Sequence, residues 1–242
     1  MSKRKPQVIR PIGRRLVRRL GNGMDLNVFE GPPLGPGVVT ADVETVLAAL
    51  ERFDPDMSWK KARREILPML PRVRPFPGPS LDLVRTMLPP GILVGFGIDI
   101  GPAITFVGTS LLERWKVDVG TVATTALDNL HALAEAVEPD VVVHDHIADI
   151  PVSVVQTHAG IAASLLLVPD CLEPLLGPGD RLLLAPMRDI LIALPADVER
   201  GFASWLADEW ESLDPNHLHL GGFRYADGAV APESLEEALA QA

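Results

Sequence analysis

The sequence predicts an α+β fold, in which repeated hairpin–helix units build a mixed, mostly antiparallel sheet and helices cover that sheet. Two patterns predict it. Short apolar runs come in pairs around turns that contain Gly, Pro or Asp, which is typical of antiparallel hairpins. Segments with apolar residues at helical spacing follow these pairs. The chain has 242 residues, 47% of them hydrophobic, so it is long and apolar enough to bury a full core.

Charge is distributed unevenly along the chain. The formal net charge is −10, yet the first twenty residues hold eight basic residues and no acidic one. The remaining 222 residues hold 14 basic against 32 acidic residues. The composition therefore predicts a basic N-terminal arm, residues 1–23, on an acidic body. Phosphate binding needs clustered cations, which argues against a nucleic-acid surface on that body.

The basic arm is predicted to contain a short helix, because Pro11 stands near its start and Gly21 at its end. A helix of this length is marginal alone in water, so we expect the arm to dock on the acidic body or on a partner. The candidate partners are another protein and a second copy of the chain; nucleic acid and an anionic membrane surface are less favoured. The candidate binding residues are five arginines: Arg10, Arg14, Arg15, Arg18 and Arg19.

Residues 24–90 are predicted to form a helical, proline-rich region. Seven of the 23 prolines lie between Pro68 and Pro90, which favours a domain boundary there. The sequence pattern predicts a strand over residues 24–30 and helices over 40–52, 58–66 and 81–88.

Residues 91–242 are predicted to form the α+β domain. Its predicted strand pairs are 92–100 with 103–107, 141–147 with 152–156, and 181–185 with 190–194. Its predicted helices are 110–116, 119–137 (capped by Asp118), a segment within 158–168, and 197–213. A strand over 218–225 and a helix over 233–240 complete the domain.

The later hairpin carries a family resemblance. The segment Asp180-Arg181-Leu182-Leu183-Leu184-Ala185-Pro186, followed by Asp189-Ile190-Leu191-Ile192-Ala193, resembles a hairpin of the bacterial YtpQ-like family, domain of unknown function 1444. Further similar segments are Ile66-Leu67-Pro68, Thr105-Phe106-Val107 and Phe223-Arg224-Tyr225-Ala226-Asp227-Gly228. The resemblance covers about residues 60–235. It implies an α+β fold and a cytoplasmic protein, and it supplies no catalytic residue.

Two further observations favour the cytoplasm. The chain has one cysteine, Cys171, so no intramolecular disulfide can form. No continuous apolar stretch indicates a secretory signal or a transmembrane segment. Cys171 itself follows an apolar run, and we interpret it as a partly buried packing residue and not as a nucleophile.

A candidate binding groove lies on the predicted strand 92–100, where Gly95, Gly97 and Asp99 share one face. Glycines within a strand mark the close approach of a ligand, a helix or another backbone. The segment is not a dinucleotide-binding loop, because its glycine spacing is one residue too long and Pro102 opens a strand instead of a helix.

Two histidine pairs predict a metal site. His144 and His146 lie two apart on a predicted strand, so their rings point to the same side, and His217 and His219 repeat this spacing. If the two strands were neighbours, the four rings could bind zinc, and the protein could be a metal-dependent enzyme such as a hydrolase. The alternative is that the histidines lie on the solvent face of ordinary strands.

The sequence contains no established catalytic motif. Neither G-x-S-x-G, a Walker loop nor H-E-x-x-H occurs, and the Asp128–His131 pair is typical of a solvated helix face. We therefore expect a non-catalytic binding or adaptor protein without a cofactor, the zinc-dependent enzyme being the alternative.

Overall fold

The computed structural model describes residues 14–19, 25–30, 54, 56–70, 82–99, 104–157, 160–213 and 217–236. The chain divides into two compact units, Met1–Phe53 and Asp54–Ala242. Helices and antiparallel sheets are both present, which confirms the predicted α+β class. Every pairing between the described strands is antiparallel.

In the first unit the basic arm forms a strand, so the predicted arm helix is wrong. Strand β1 (Arg14–Arg19) pairs with β2 (Asp25–Glu30), which confirms the strand predicted over 24–30. A ten-residue helix gains little in water without a partner, whereas a hairpin satisfies backbone groups of both strands. Arg10 and the helix predicted over 40–52 lie outside the described residues.

The second unit begins with a four-stranded sheet around β5 (Ile92–Asp99). This strand pairs with β3 (Ile66–Met69), β4 (Arg85–Leu88) and β6 (Ile104–Phe106). The predicted boundary near residue 90 therefore falls between strands of one sheet.

Two helices predicted before this boundary are wrong over most of their length. The helix predicted over 58–66 is reduced to α1 (Trp59–Ala62), and the chain enters a strand at Ile66. The segment predicted as a helix over 81–88 contains strand β4. Ile66 at the end of the first segment and Arg85–Leu88 of the second pair with β5, and such tertiary pairing overrides local helical preference.

Two helices follow this sheet, α2 (Thr109–Trp115) and α3 (Val119–Glu135), close to their predicted positions. As predicted, Asp118 caps α3: its carboxylate accepts a hydrogen bond of 2.7 Å from the backbone N–H of Thr121. Helix α3 packs mainly on β3, and also on β4 and β5. No helix in the described ranges is both long enough and apolar enough to cross a membrane.

A six-stranded sheet forms the rest of the unit, in the order β12-β11-β9-β10-β8-β7. Its strands are β7 (Val142–Ile147), β8 (Ile150–Gln156), β9 (Arg181–Met187), β10 (Ile190–Pro195), β11 (Gly222–Ala226) and β12 (Ala229–Glu233). The predicted hairpins β7–β8 and β9–β10 are confirmed. The predicted helix from residue 233 is wrong at its start, because Glu233 ends β12.

Short helices connect these strands. Between β8 and β9 lie 3₁₀ helices Ala163–Leu167 and Pro169–Cys171, followed by α4 (Leu172–Leu176). The first of them lies within 158–168, where a helix was predicted, and it is a 3₁₀ helix. Helix α5 (Arg200–Glu211) lies between β10 and β11, within its predicted range.

The six-stranded sheet is buried on both faces at its centre. On one face, Leu183 and Leu191 belong to a core that also contains Val94 of the four-stranded sheet and Leu130 of α3. On the other face, alternate residues of β9 and β10 pack in a core with α5. Burial on both faces explains why these two strands are continuous apolar runs in the sequence.

Candidate functional site

Helix α3 and the 3₁₀ helix Pro169–Cys171 bring three different side chains together. Nε2 of His131 lies 2.5 Å from Oδ2 of Asp170. One ring nitrogen of His131, one carboxylate oxygen of Asp170 and Sγ of Cys171 all lie within 4.8 Å of one another. Nδ1 of His131 is 3.7 Å from Oε1 of Glu135, one helical turn further along α3. We call His131, Asp170 and Cys171 the His–Asp–Cys cluster.

Local structure fixes this arrangement from both sides. On α3, Leu130 is fully buried and Ala134 nearly so, so His131 stands at the border between core and solvent. In the 3₁₀ helix, the backbone N–H of Cys171 donates a 3.0 Å hydrogen bond to the carbonyl of Val168. This turn buries Cys171 and leaves the Asp170 side chain 64% exposed, directed towards α3.

The charges of the cluster are coupled. The hydrogen bond to Asp170, supported by the nearby carboxylates, raises the pKa of His131. The same hydrogen bond lowers the pKa of Asp170. Burial, followed by the charges of Asp170 and Glu135, raises the pKa of the Cys171 thiol. A thiol with a raised pKa is a poor nucleophile, in agreement with the sequence interpretation of Cys171.

The predicted histidine pairs are not brought together. His144 and His146 lie exposed on β7, at one edge of the six-stranded sheet, and Nδ1 of His144 is 2.9 Å from Oγ of Ser153. His217 and His219 precede β11, and three strands lie between β11 and β7. The zinc site predicted from all four histidines required neighbouring strands, which this sheet order does not supply.

The second pair also lies outside a regular strand, because the strand predicted over 218–225 begins at Gly222. His219 has a left-handed backbone with φ of 54°, and its Nδ1 is 2.8 Å from Oε2 of Glu211. The centroids of the His217 and His219 rings are 6.2 Å apart. Within the described ranges, the His–Asp–Cys cluster is the only group of three or more His, Cys, Asp or Glu side chains spaced to hold a metal ion.

The predicted groove residues lie on the central strand β5. Gly95 and Gly97 are both buried. A Cβ added at Gly95 would lie 3.7 Å from the carbonyl oxygen of Val84 and 3.9 Å from that of Met69. These are ordinary van der Waals distances, so the atoms nearest to Gly95 belong to neighbouring backbone and no tight approach requires a glycine there. The side chain of Asp99 lies outside the described part of the chain, and the groove stays a prediction.

Four of the predicted partner-binding arginines lie on β1. The register places Arg14 opposite Glu30 and Arg19 opposite Asp25, whereas Arg15 is opposite Phe29 and Arg18 is opposite Leu26. Acidic residues thus stand across from two of the four arginines.

Sequence reasoning missed the His–Asp–Cys cluster. It paired His131 with Asp128, whereas the structure places Asp170, 39 residues away, against the ring. The available signals were a histidine and a glutamate four apart on a predicted helix, and a Pro-Asp-Cys segment after an apolar run.

Comparison of the chain with protein-family models, with curated proteins and with solved structures gives no match.

Proposed function

We propose that the chain is a non-catalytic binding or adaptor protein, whose basic N-terminal unit binds an acidic partner. The observation that carries the proposal is that the two units of the chain have net charges of opposite sign. Residues 1–53 hold nine basic and five acidic residues, whereas residues 54–242 hold 13 basic and 27 acidic residues. A positively charged unit joined to a strongly negative one suits the electrostatic recognition of a partner.

The register of the β1–β2 hairpin supports a division of labour among the arginines. Opposite charges directly across a strand pair attract each other, and the register places Glu30 opposite Arg14 and Asp25 opposite Arg19. Arg15 and Arg18 stand opposite apolar residues instead. In this proposal, Arg15 and Arg18 are the two arginines of β1 whose charge the partner meets.

The partner is a protein with an acidic surface, or the acidic unit of a second copy of the chain. The resemblance to the YtpQ-like family is part of the same proposal: it implies a cytoplasmic protein and supplies no catalytic residue. Nucleic acid and anionic membranes stay the less favoured partners, since the chain as a whole is negative and would be repelled by polyanions.

Affinity purification of the tagged full-length chain from cells tests the proposal. The wild-type chain is compared with an Arg15→Gln, Arg18→Gln variant and with a control, Lys60→Gln, Lys61→Gln, which removes the same charge from exposed positions on α1. A partner that the control retains is then purified and titrated. We expect the arginine variant to bind it about tenfold more weakly, the scale of one lost charge-assisted contact.

Two results would contradict the binding role. One is equal capture of the same partners by all three chains. The other is equal loss from both variants, which would indicate a dependence on total charge and not on the arm. Unchanged circular dichroism of each variant shows that its fold is intact.

A further inference from the structure

The His–Asp–Cys cluster has the spacing of metal ligands. Around a tetrahedral zinc ion with bonds of about 2.0–2.3 Å, the ligand atoms lie roughly 3.3–3.8 Å from one another. In the cluster, the three candidate ligand atoms lie within 4.8 Å of one another, and the His131–Asp170 pair is held at 2.5 Å by a hydrogen bond that a metal ion would replace.

The chemistry of the three side chains selects the class of metal. A thiolate does not suit magnesium or calcium, which prefer oxygen ligands. One thiolate, one imidazole and one carboxylate suit zinc and similar divalent transition metals. Three protein ligands leave a fourth tetrahedral position for water or another ligand.

The position of Glu135 beside His131 also bears on metal binding by the cluster. When one nitrogen of a histidine ring binds a metal, the other commonly donates its proton to a carboxylate, which fixes the tautomer and the ring orientation. Here Nε2 of His131 faces the cluster, and Nδ1 is 3.7 Å from Oε1 of Glu135, which is an ion-pair distance and longer than a hydrogen bond. Glu135 is not one of the three candidate ligands, and it stands on the side of the ring that such a carboxylate would occupy.

The setting is also suited to a cation. Asp170 and Glu135 contribute two carboxylates, against one imidazole and one thiol. The ligands stand on elements held by core residues, since Leu130 precedes His131 and the fully buried Leu172 follows Cys171. Ligands fixed in this way lose little freedom when a metal binds.

We propose that His131, Asp170 and Cys171 bind one zinc ion, with Glu135 as the carboxylate that orients the His131 ring. This site is separate from the basic arm and does not depend on the proposed partner. Binding would displace the protons of the Cys171 thiol and of Nε2 of His131, so that the metal replaces them at the centre of the cluster.

Cobalt substitution gives a direct test, because the chain has only one cysteine. Full-length protein is stripped with a chelator and titrated with Co²⁺ and then with Zn²⁺. We expect one equivalent of Co²⁺ to give a thiolate-to-cobalt charge-transfer band in the near ultraviolet, which can arise only from Cys171. Zinc should abolish the band, and Cys171→Ser should lack it from the start.

Variants locate the site by zinc affinity, measured in competition with a chromophoric chelator. We expect His131→Asn and Asp170→Asn to lose at least about 100-fold, and Glu135→Gln to lose about 10- to 100-fold with stoichiometry unchanged. Asp170 is largely exposed, so its variant keeps the fold even if the buried Cys171 does not tolerate substitution. The matched control, His144→Asn with His146→Asn, should bind zinc as the wild type does.

Several outcomes would overturn the assignment. Wild-type protein that retains less than about a tenth of an equivalent of zinc after dialysis, and shows no cobalt band, has no such site. Zinc binding that survives in both His131→Asn and Asp170→Asn, or that disappears in the His144/His146 control, places the metal elsewhere.

Discussion

Replacement of Leu130 by alanine tests how α3 is held in the structure. Leu130 is fully buried and belongs to the core shared by both sheets, together with Leu67 and Val155. Leu133, three residues further along the same helix, is 40% exposed. Leu130→Ala and Leu133→Ala make the same leucine-to-alanine change at a buried and at an exposed position, and the gain in helical preference is the same at both.

The expected costs differ severalfold. Removing three buried carbon atoms from Leu130 loses about 2.4 kcal/mol of transfer free energy, at about 0.8 kcal/mol for each methylene. A cavity that stays partly open adds roughly 1 kcal/mol, which gives a total of about 3–4 kcal/mol, within the range of such substitutions. For Leu133→Ala, an exposed change, we expect a cost below about 1 kcal/mol.

Urea unfolding followed by tryptophan fluorescence measures both free energies, with chelator present so that no metal contributes. The midpoint should fall strongly for Leu130→Ala and little for Leu133→Ala, at an unchanged dependence on urea. If Leu133→Ala costs as much as Leu130→Ala, or more, then α3 does not bury the face described above.

Two further predictions concern polar groups on and beside α3. Asp118→Ala should lower the urea midpoint, because the backbone N–H of Thr121 loses its capping acceptor. Asp118→Asn should retain most of the stability, since asparagine also caps helices. Asp128→Ala, at an exposed position that caps nothing, should have little effect. In zinc-free protein, the His131–Asp170 pair should stabilise the fold fully between the ordinary pKa values of Asp and His, about 3.9 and 6.5. That stabilisation is lost as pH rises through the raised pKa of His131, and also as pH falls through the lowered pKa of Asp170. The difference in urea midpoint between wild type and His131→Asn should therefore be larger at pH 5.5 than at pH 9, and the opposite order would contradict the assigned ion pair.

The parts of the fold that were predicted correctly depend on local signals. The β7–β8 and β9–β10 hairpins join strands that are adjacent in sequence, with a tight turn between them. Helix α3 was predicted from its capping residue, Asp118, and from the helical spacing of its apolar residues. In each case one short stretch of sequence contains the whole pattern.

The incorrect secondary-structure predictions concern segments whose conformation depends on contacts with residues far away in the sequence. Ile66, the first residue of β3, was predicted as the end of a helix, whereas β5, some thirty residues later, provides β3 with hydrogen-bonding partners. The arm has apolar residues at helical spacing, yet β2 pairs with it as a strand. The His–Asp–Cys cluster was missed for the same reason, since nothing near His131 in the sequence indicates Asp170.

The strand order has a consequence for how copies of this protein meet at high concentration. The outer strands of an open sheet can template the addition of further strands and so lead to aggregation. One outer strand, β12, contains Pro232, which has no N–H to offer an incoming strand. The other, β7, pairs with β8 and with no other described strand, and carries three exposed polar residues in succession: His144, Asp145 and His146. Polar residues on an outer strand are one means by which sheets resist such growth, and this would need no metal at the histidine pair.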